Sequence, residues 1–400
     1  NLTGMITKAR LTNLVSLHWI DPQPSSDHLE VSPEIHHQLL SESEDISRTV
    51  FEYLYPELDP KLDAPVDPTV FDTVEIDVGS LTNYLNWLQG KSKHLKAQQI
   101  KQYEFQARLI LAVAHYTQGK YYQRIKPSEF GRTYYAGTSV QNVNKTLRRA
   151  MLGDCWEYDI RSSVVAWKMG YAVEYLQRHA PQSSVAVEFK ATLSYLQDKK
   201  QFMGTLRYLV FGTDSDLHQD LQQKLLKQAF TALSFGARKA GKGWMDSHGN
   251  WMNPALVDIF RVKQERDRFI EDPMVTAFIA EQTKLDQFLF DGVRALRPDL
   301  LKLPYLQTQG GNPSRAKVVA FLYQHEETAV MHTVRATLRE HNHEVLANIH
   351  DAIVVRRRIS LDLVGELEAR MQETTGNPYW RLSASPLQRF NSGESSDSDD

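Results

Sequence analysis

Between Ser80 and Gln118, apolar residues return at three- and four-residue spacing, in LTNYLNWLQG and again in QIKQYEFQARLILAVAHYTQG. Gly90 and Gly119 stand where such runs stop, so the pattern predicts two helices. Residues 160–235 keep the helical pattern, GKGWMDSHGNW reads as a loop, and VDIFRVKQERDRFI resumes a helix. Residues 315–340 form the longest uninterrupted helical run. The pattern then changes. EVLANI and AIVVRRRI are β-branched and apolar and flank His350 and Asp351, which predicts a hairpin with this pair at its tip. CWEYDI predicts another strand, ahead of a helix-prone run. Residues 21–75 are crowded with proline and acid (DPQPSS, YPELDPKLDAPVDP), which breaks long helices and predicts an irregular lead-in.

Composition narrows the class. With 400 residues, 42% hydrophobic and 24% charged, the chain is an enzyme-sized soluble body. Cys155 is its one cysteine, which excludes an internal disulfide framework and cysteine-based zinc sites, and points to a reducing intracellular setting. The net charge is −3, and the final NSGESSDSDD carries Glu394, Asp397, Asp399 and Asp400, leaving a body close to +1. Overall charge therefore argues neither for nor against nucleic acid. Local basic clusters occur at Arg148 and Arg149, at Lys239 and Lys242, and at Arg356 to Arg358. No apolar run is long enough to cross a bilayer, and NLTGMITKAR lacks the charged-then-apolar order of a secretory signal, so no membrane partner is expected. The chain begins at Asn1, not Met, and residues upstream of it are expected. The acidic tail, 391–400, is expected to be disordered, and it or the N-terminal region is where a protein partner would bind.

Two carboxylates sit at predicted strand ends, Asp159 in CWEYDIRSSVVAW and Asp351 in NIHDAIVV. A sheet that brings two such groups together can bind two divalent cations about 3.5–4 Å apart and clamp the attacking and leaving oxygens of a phosphoryl transfer. Each also has a plain reading, Asp159 as a helix N-cap and Asp351 as a turn residue. A third feature is KQAFTALSFG, residues 227–236. On a helix, Lys227, Thr231 and Phe235 form one stripe beside an apolar face of Leu226, Phe230 and Leu233. At 1.5 Å per residue the stripe spans about 12 Å, roughly the length of a nucleoside triphosphate. A lysine at one end can hold phosphate and an aromatic ring at the other can pack on a base or sugar. The plain alternative is a solvated lysine and a core phenylalanine.

Taken together and in this order, these stretches resemble the superfamily of family A DNA polymerases and the single-subunit RNA polymerases of phages and mitochondria. GRTYYAGTSVQNVNKTLRRAM is similar to the segment that precedes the first catalytic aspartate there, matching Gly131, Arg132, Gln141, Asn142, Arg148 and Arg149. The resemblance implies that Gly131, Arg132, Gln141 and Asn142 contact the primer–template backbone and minor groove. It implies nucleic-acid contacts for Arg148 and Arg149 as well, with a solvated helix face as the alternative. YDIRSSVVAW resembles motif A, which implies Asp159 as a metal ligand assisted by the backbone carbonyl of Ile160. KQAFTALSFG resembles motif B, with Lys227 on the triphosphate and Thr231, Phe235 and Gly236 along the nucleotide helix. NIHDAIVV resembles motif C, with Asp351 as second ligand and His350 lining the primer end. Gln324, in FLYQHEETAV, stands where family A enzymes carry a glutamine facing the template.

Departures from the family pattern bear on the product. Val164 replaces a glutamate that blocks a 2′-hydroxyl, Phe235 lacks a tyrosine hydroxyl, and Ala352 replaces a glutamate after the motif C aspartate. These lean toward ribonucleotides or relaxed sugar choice. Gln223 stands where motif B often has an arginine one turn before its lysine, which leaves the triphosphate to Lys227 with Lys224 as its candidate helper. The expected fold is α+β, a right-hand polymerase with an antiparallel palm sheet, helical fingers and a reduced helical thumb. Residues 1–78 form an N-terminal extension, 79–128 thumb-like helices, 129–174 and 311–390 the palm, and 175–310 the fingers. The expected reaction is template-directed nucleotidyl transfer with two Mg²⁺, or Mn²⁺ in their place, and no proofreading exonuclease. Template, primer or nascent strand, and nucleoside triphosphates are the partners. A small DNA polymerase, a non-catalytic nucleic-acid binder and a two-metal nuclease are the alternatives.

Overall fold

The computed structural model describes residues 44–58, 66–90, 97–126, 128–213, 215–238, 241, 243–245, 251–308 and 310–391. The expectations for the tail beyond Asn391, for Lys239 and Lys242 and for residues 1–43 lie outside these.

The described chain opens with helix α1 (Glu44–Leu54), strand β1 (Phe71–Glu75), and helices α2 (Val78–Gly90) and α3 (Ala97–Tyr116). Strands β2 (Lys120–Lys126) and β3 (Tyr134–Tyr135), helix α4 (Lys145–Leu152) and strand β4 (Cys155–Ile160) follow. Five helices come next: α5 (Ser163–His179), α6 (Val185–Glu188), α7 (Lys190–Gln197), α8 (Lys199–Phe211) and α9 (Gln219–Ser234). Strands β5 (Trp244–Met245) and β6 (Trp251–Met252) precede helices α10 (Ala255–Ile259), α11 (Lys263–Glu271) and α12 (Pro273–Leu296). The long helix α13 (Arg315–Glu340) leads into β7 (Val345–Ile349) and β8 (Ala352–Val355), then α14 (Leu361–Thr375) and β9 (Leu382–Leu387). Helices with antiparallel strand pairs make this an α+β chain, as its pattern predicts.

The chain divides into two compact units. The described residues of the first fall within 44–159, 335–360 and 383–391. It holds a three-stranded sheet in the order β1-β2-β3, and the four-stranded sheet in the order β7-β8-β4-β9 is built almost wholly from it. On α2, Leu81, Tyr84, Leu85 and Leu88 are buried at the spacing of one helix face. α3 is buried on nearly all sides from Ala107 to Ala114. Leu346, Ala347, Ile349 and Val354 of the sheet join the same core as Leu81, Val113 and Leu147. The lead-in is not irregular throughout. Phe51 and Phe71 are buried in this core, and Phe51 lies against Tyr55, Tyr116 and Tyr122. The apolar residues Val50, Phe51, Leu54 and Tyr55 recur at helical spacing between the prolines, and their burial outweighs the breakers on either side.

The second unit comprises residues 160–334 and 361–382. Its helices pack around Tyr195, Phe202, Phe230, Phe269 and Phe278, whose rings lie 5.0–5.6 Å apart in tilted, stacked and edge-on pairs. VDIFRVKQERDRFI is two helices and not one. Phe260 adopts extended backbone and is fully buried, which ends α10 before α11 begins. The segment read as a loop contains a short hairpin in which Trp244 pairs with Met252 and Met245 with Trp251.

Residues 79–128, expected as thumb-like, fall in the first unit, and 175–310, expected as fingers, fall in the second. The expected palm segments are shared: 129–159, 335–360 and 383–390 belong to the first unit, and 160–174, 311–334 and 361–382 to the second. Among the described residues no helix is long and apolar enough to cross a membrane.

Candidate functional site

The two aspartates are brought to one end of the four-stranded sheet by strand register. β4 and β8 run antiparallel with Asp159 opposite Ala352, the residue after Asp351, and Tyr158 opposite Ile353. Neighbouring strands lie about 4.8 Å apart, so the backbone of Asp159 lies next to the residue that follows Asp351, at the end of the sheet where the β7–β8 turn closes. The turn is tight: Ile349 pairs with Ala352, leaving His350 and Asp351 at its tip. All four residues of β8 are buried, and both aspartates are half-buried. The buried strand pins the turn, and its tip carries the polar groups. Tyr158 adds a second tie, its hydroxyl accepting from the Ile359 N–H at 2.8 Å.

Backbone geometry marks the same place. Four described non-glycine residues have positive φ, namely Gln118, Ser162, Asn342 and His350. His350 (φ 47°) directly precedes Asp351, and Ser162 (φ 49°) follows Asp159 by three residues. Left-handed backbone at non-glycine residues persists only where surroundings enforce it, and it clusters at functional sites.

His350 packs against Tyr134, with ring centroids 5.2 Å apart, and its Nδ1 is buried with no hydrogen-bond partner among the described residues. Burial pushes its pKa down to about 4, Arg132 and Arg148 push the same way, and Asp351 opposes them. The ring is therefore neutral at physiological pH, an imidazole able to accept or donate one hydrogen bond without carrying charge.

The segment before Asp159 folds against this turn. Gly131 has φ 84°, a conformation that suits glycine. Gln141 donates from Nε2 to the Thr133 carbonyl at 2.9 Å, with a long 3.5 Å approach to the Asn348 carbonyl on β7. Asn142 closes its own turn, accepting from Ser139 N–H at 2.8 Å and donating to the Gly137 carbonyl. Neither arginine of the pair is simply solvated. Arg148 is 13% exposed, donates from Nε to the Val140 carbonyl at 2.7 Å and pairs with Glu157 at 3.3 Å. Arg149 donates to the Gln388 carbonyl at 2.5 Å and lies over the Phe390 ring at 3.9 Å. Their guanidinium groups tie α4 to the sheet and to the chain after β9.

In the second unit, α9 carries the stripe as the spacing predicts. Lys227, Thr231 and Phe235 are exposed, while Leu226, Phe230 and Leu233 are buried. Thr231 donates back to the Lys227 carbonyl at 2.9 Å, as mid-helix threonines do. The helix ends through Gly236 (φ 77°), whose N–H reaches the Leu233 carbonyl while the Ala237 N–H reaches that of Ala232. Phe235, 41% exposed, sets its ring edge-on to Tyr323 at 5.8 Å, and the Tyr323 hydroxyl is 2.8 Å from Ser163 Oγ. Val164 is buried and Gln324 half-buried, its backbone carbonyl accepting from Thr328.

Sequence reasoning overlooked two groups. Arg335, on α13, approaches Asn348 Oδ1 of β7 at 3.5 Å, and burial lowers its pKa. Lys168, on α5, is fully buried and paired with Asp286 at 2.5 Å. A lysine inside the apolar run VVAWKMGYAV was its available signal, because such a residue must find a buried partner.

The two carboxylates at this end of the sheet are of a chemistry that could hold a hard cation, since magnesium is commonly held by one or two carboxylates with water and substrate phosphates completing its shell. Among the described residues no group of three or more His, Cys, Asp or Glu side chains is arranged to hold a metal by itself.

No protein-family model and no curated protein matches the chain. Among solved structures, it is similar to the POL domain of Pol1 from M. smegmatis, solved in complex with DNA primer-template and dNTP. The identity is 14%, the match covers 90% of this chain and 66% of that one, and the TM-score is 0.43, below the level of a shared fold.

Proposed function

We propose that the protein is a template-directed nucleotidyltransferase, joining nucleoside triphosphates to a primer or nascent strand. The observation that carries this reading is the register of β4 and β8, which sets Asp159 beside the turn bearing Asp351. Two carboxylates so placed would hold two magnesium ions, which when bound supply Lewis acidity at the attacking and leaving oxygens. The chain's own residues would do the positioning. Asp159 and Asp351 fix the charge at one end of the sheet, and neutral His350 offers a hydrogen bond to the strand end without repelling the ions. Lys227 would neutralise phosphate charge as the pyrophosphate leaves, and Phe235 would pack on the incoming base or sugar. Arg132, Gln141 and Asn142 would meet the primer–template. Catalysis of this kind rests on alignment and electrostatics, with no covalent intermediate on the protein. Ribonucleotides are the favoured substrate class, because Val164 is apolar where a carboxylate would exclude a 2′-hydroxyl and Phe235 has no hydroxyl to sense one.

Primer extension on a DNA template with Mg²⁺, comparing rNTPs with dNTPs, tests this. The wild type is expected to extend, with rNTPs preferred. Asp351→Asn and Asp159→Asn should each lower the rate by roughly 10²-fold or more, as loss of a group that stabilises transition-state charge does, while leaving the fold intact. Extension that survives both substitutions would sink the two-aspartate mechanism. Intact primer–template binding without extension by the wild type would replace it with a non-catalytic binder.

A further inference from the structure

Among the described residues of the second unit, a fully buried charge lies under the end of the motif B-like helix. Lys168 Nζ has three oxygens around it: the Ser234 carbonyl at 2.5 Å, Asp286 Oδ1 at 2.5 Å and Gln282 Oε1 at 3.4 Å. The Ser234 carbonyl and Gln282 Oε1 accept hydrogen bonds from the ammonium, while Asp286 Oδ1 meets it as an ion pair without hydrogen-bond geometry. Gln282 is itself held, donating from Nε2 to Thr192 Oγ1 at 3.2 Å. The Ser234 carbonyl is one of those that a helix leaves without an intrahelical partner at its C-terminus, where the helix dipole also favours a cation. Asp286 reaches the next residues of the same turn, since a Cβ built on Gly236 would stand 3.6 Å from its Oδ2.

Burying an ion pair is costly, and well-packed apolar residues would fill the same space at less expense. Lys168 is nevertheless 0% exposed, and burial pushes its pKa down while Asp286 holds it up. The pair's geometric consequence is local. It clamps from beneath the turn that presents Phe235, which the Tyr323 ring supports from the side. We infer that Lys168 and Asp286 are positioning residues for the nucleotide-facing end of α9, holding Phe235 and Gly236 in the geometry that the incoming nucleotide meets. This rests on the function proposed above. It places the pair outside the reacting atoms, so its loss acts on nucleotide affinity before it acts on the chemical step.

The test is Lys168→Met combined with Asp286→Leu, which removes both charges together and leaves no lone buried ion. Asp286→Asn serves as a second variant that keeps the shape and one acceptor should the double variant not fold. Two readouts are taken: nucleotide KM and kcat in primer extension, and hydrogen exchange of the Gly236 and Ala237 amides, which close the helix end. The expected result is a thermal midpoint near that of the wild type, faster exchange at both amides, and KM raised roughly ten-fold with kcat changed by no more than about three-fold. Unchanged KM and exchange would overturn the inference, leaving the pair as core filling, and so would a fall in kcat at constant KM. If the wild type incorporates no nucleotide, the polymerase reading fails by itself, and the positional claim is then decided by the exchange of the two amides.

Discussion

Asp351 sits where a left-handed His350 and a fully buried β8 meet, so its carboxylate is carried by backbone that has little freedom to move. Its neighbour is set by burial, which pushes the His350 pKa down to about 4 and keeps the ring neutral. Cys155 shows the same effect on a thiol. It begins β4 in the core, and burial pushes it up to about 12, more than the nearby Arg356 can offset. The folded protein is therefore expected to resist iodoacetamide at pH 8 and to label fully in guanidinium, because the thiolate is the reacting form. Linkage gives a sign as well. Below pH 9 the thiol is protonated in both states, and between about 9 and 12 only the unfolded chain ionises, so stability falls as pH rises through that window. Wild type should lose stability more steeply there than Cys155→Ser, as read from urea midpoints against pH.

At the scale of elements, α9 and the β7–β8 hairpin owe their placement to different forces. The helix is amphipathic, burying Leu226, Phe230 and Leu233 and leaving Lys227, Thr231 and Phe235 in solvent. Its end depends on Gly236, whose φ of 77° is one that an L side chain adopts only under strain. Space is not the obstacle, since the nearest atom to an added Cβ is 3.6 Å away. Gly236→Ala is thus expected to cost about 1–2 kcal/mol of stability, the left-handed penalty alone, measured by urea unfolding. A cost near zero would mean that the turn relaxes and that Phe235 is not held by it. The hairpin is set by pairing on both sides of β8, with β7 and β4, and by the Tyr158 hydroxyl bonded to the Ile359 N–H.

For the molecule as a whole, the N-terminal described segments belong to a core. Phe51 on α1 and Phe71 on β1 are 0% and 4% exposed, and Phe51 touches three tyrosine rings. Phe51→Ala is expected to destabilise the first unit by about 3–5 kcal/mol through lost burial and an unfilled cavity. Chemical denaturation checks this, and a cost below about 1 kcal/mol would show that α1 is an appendage after all. Across the chain, the four-stranded sheet joins β4 from the middle of the sequence to β7, β8 and β9 from its end, so Asp159 and the turn bearing Asp351 meet at one end of the sheet despite lying nearly two hundred positions apart.

Local pattern by itself determined the helices α2, α3, α9 and α13, the β7–β8 hairpin with His350 and Asp351 at its tip, and the exposed stripe on α9, because each depends on the periodicity of burial within one stretch of chain. It misjudged residues whose state is set by distant partners. Phe260 breaks a helix to reach the core, and α1 survives among prolines because its aromatic face is covered. The solvated-face alternative for Arg148 and Arg149 fails because they turn inward to Glu157 and Phe390, and Lys168, which the sequence reading passed over, finds Asp286 118 positions away. Only the tertiary structure decided these, since no local pattern specifies which distant group will satisfy a buried charge or cover an apolar face.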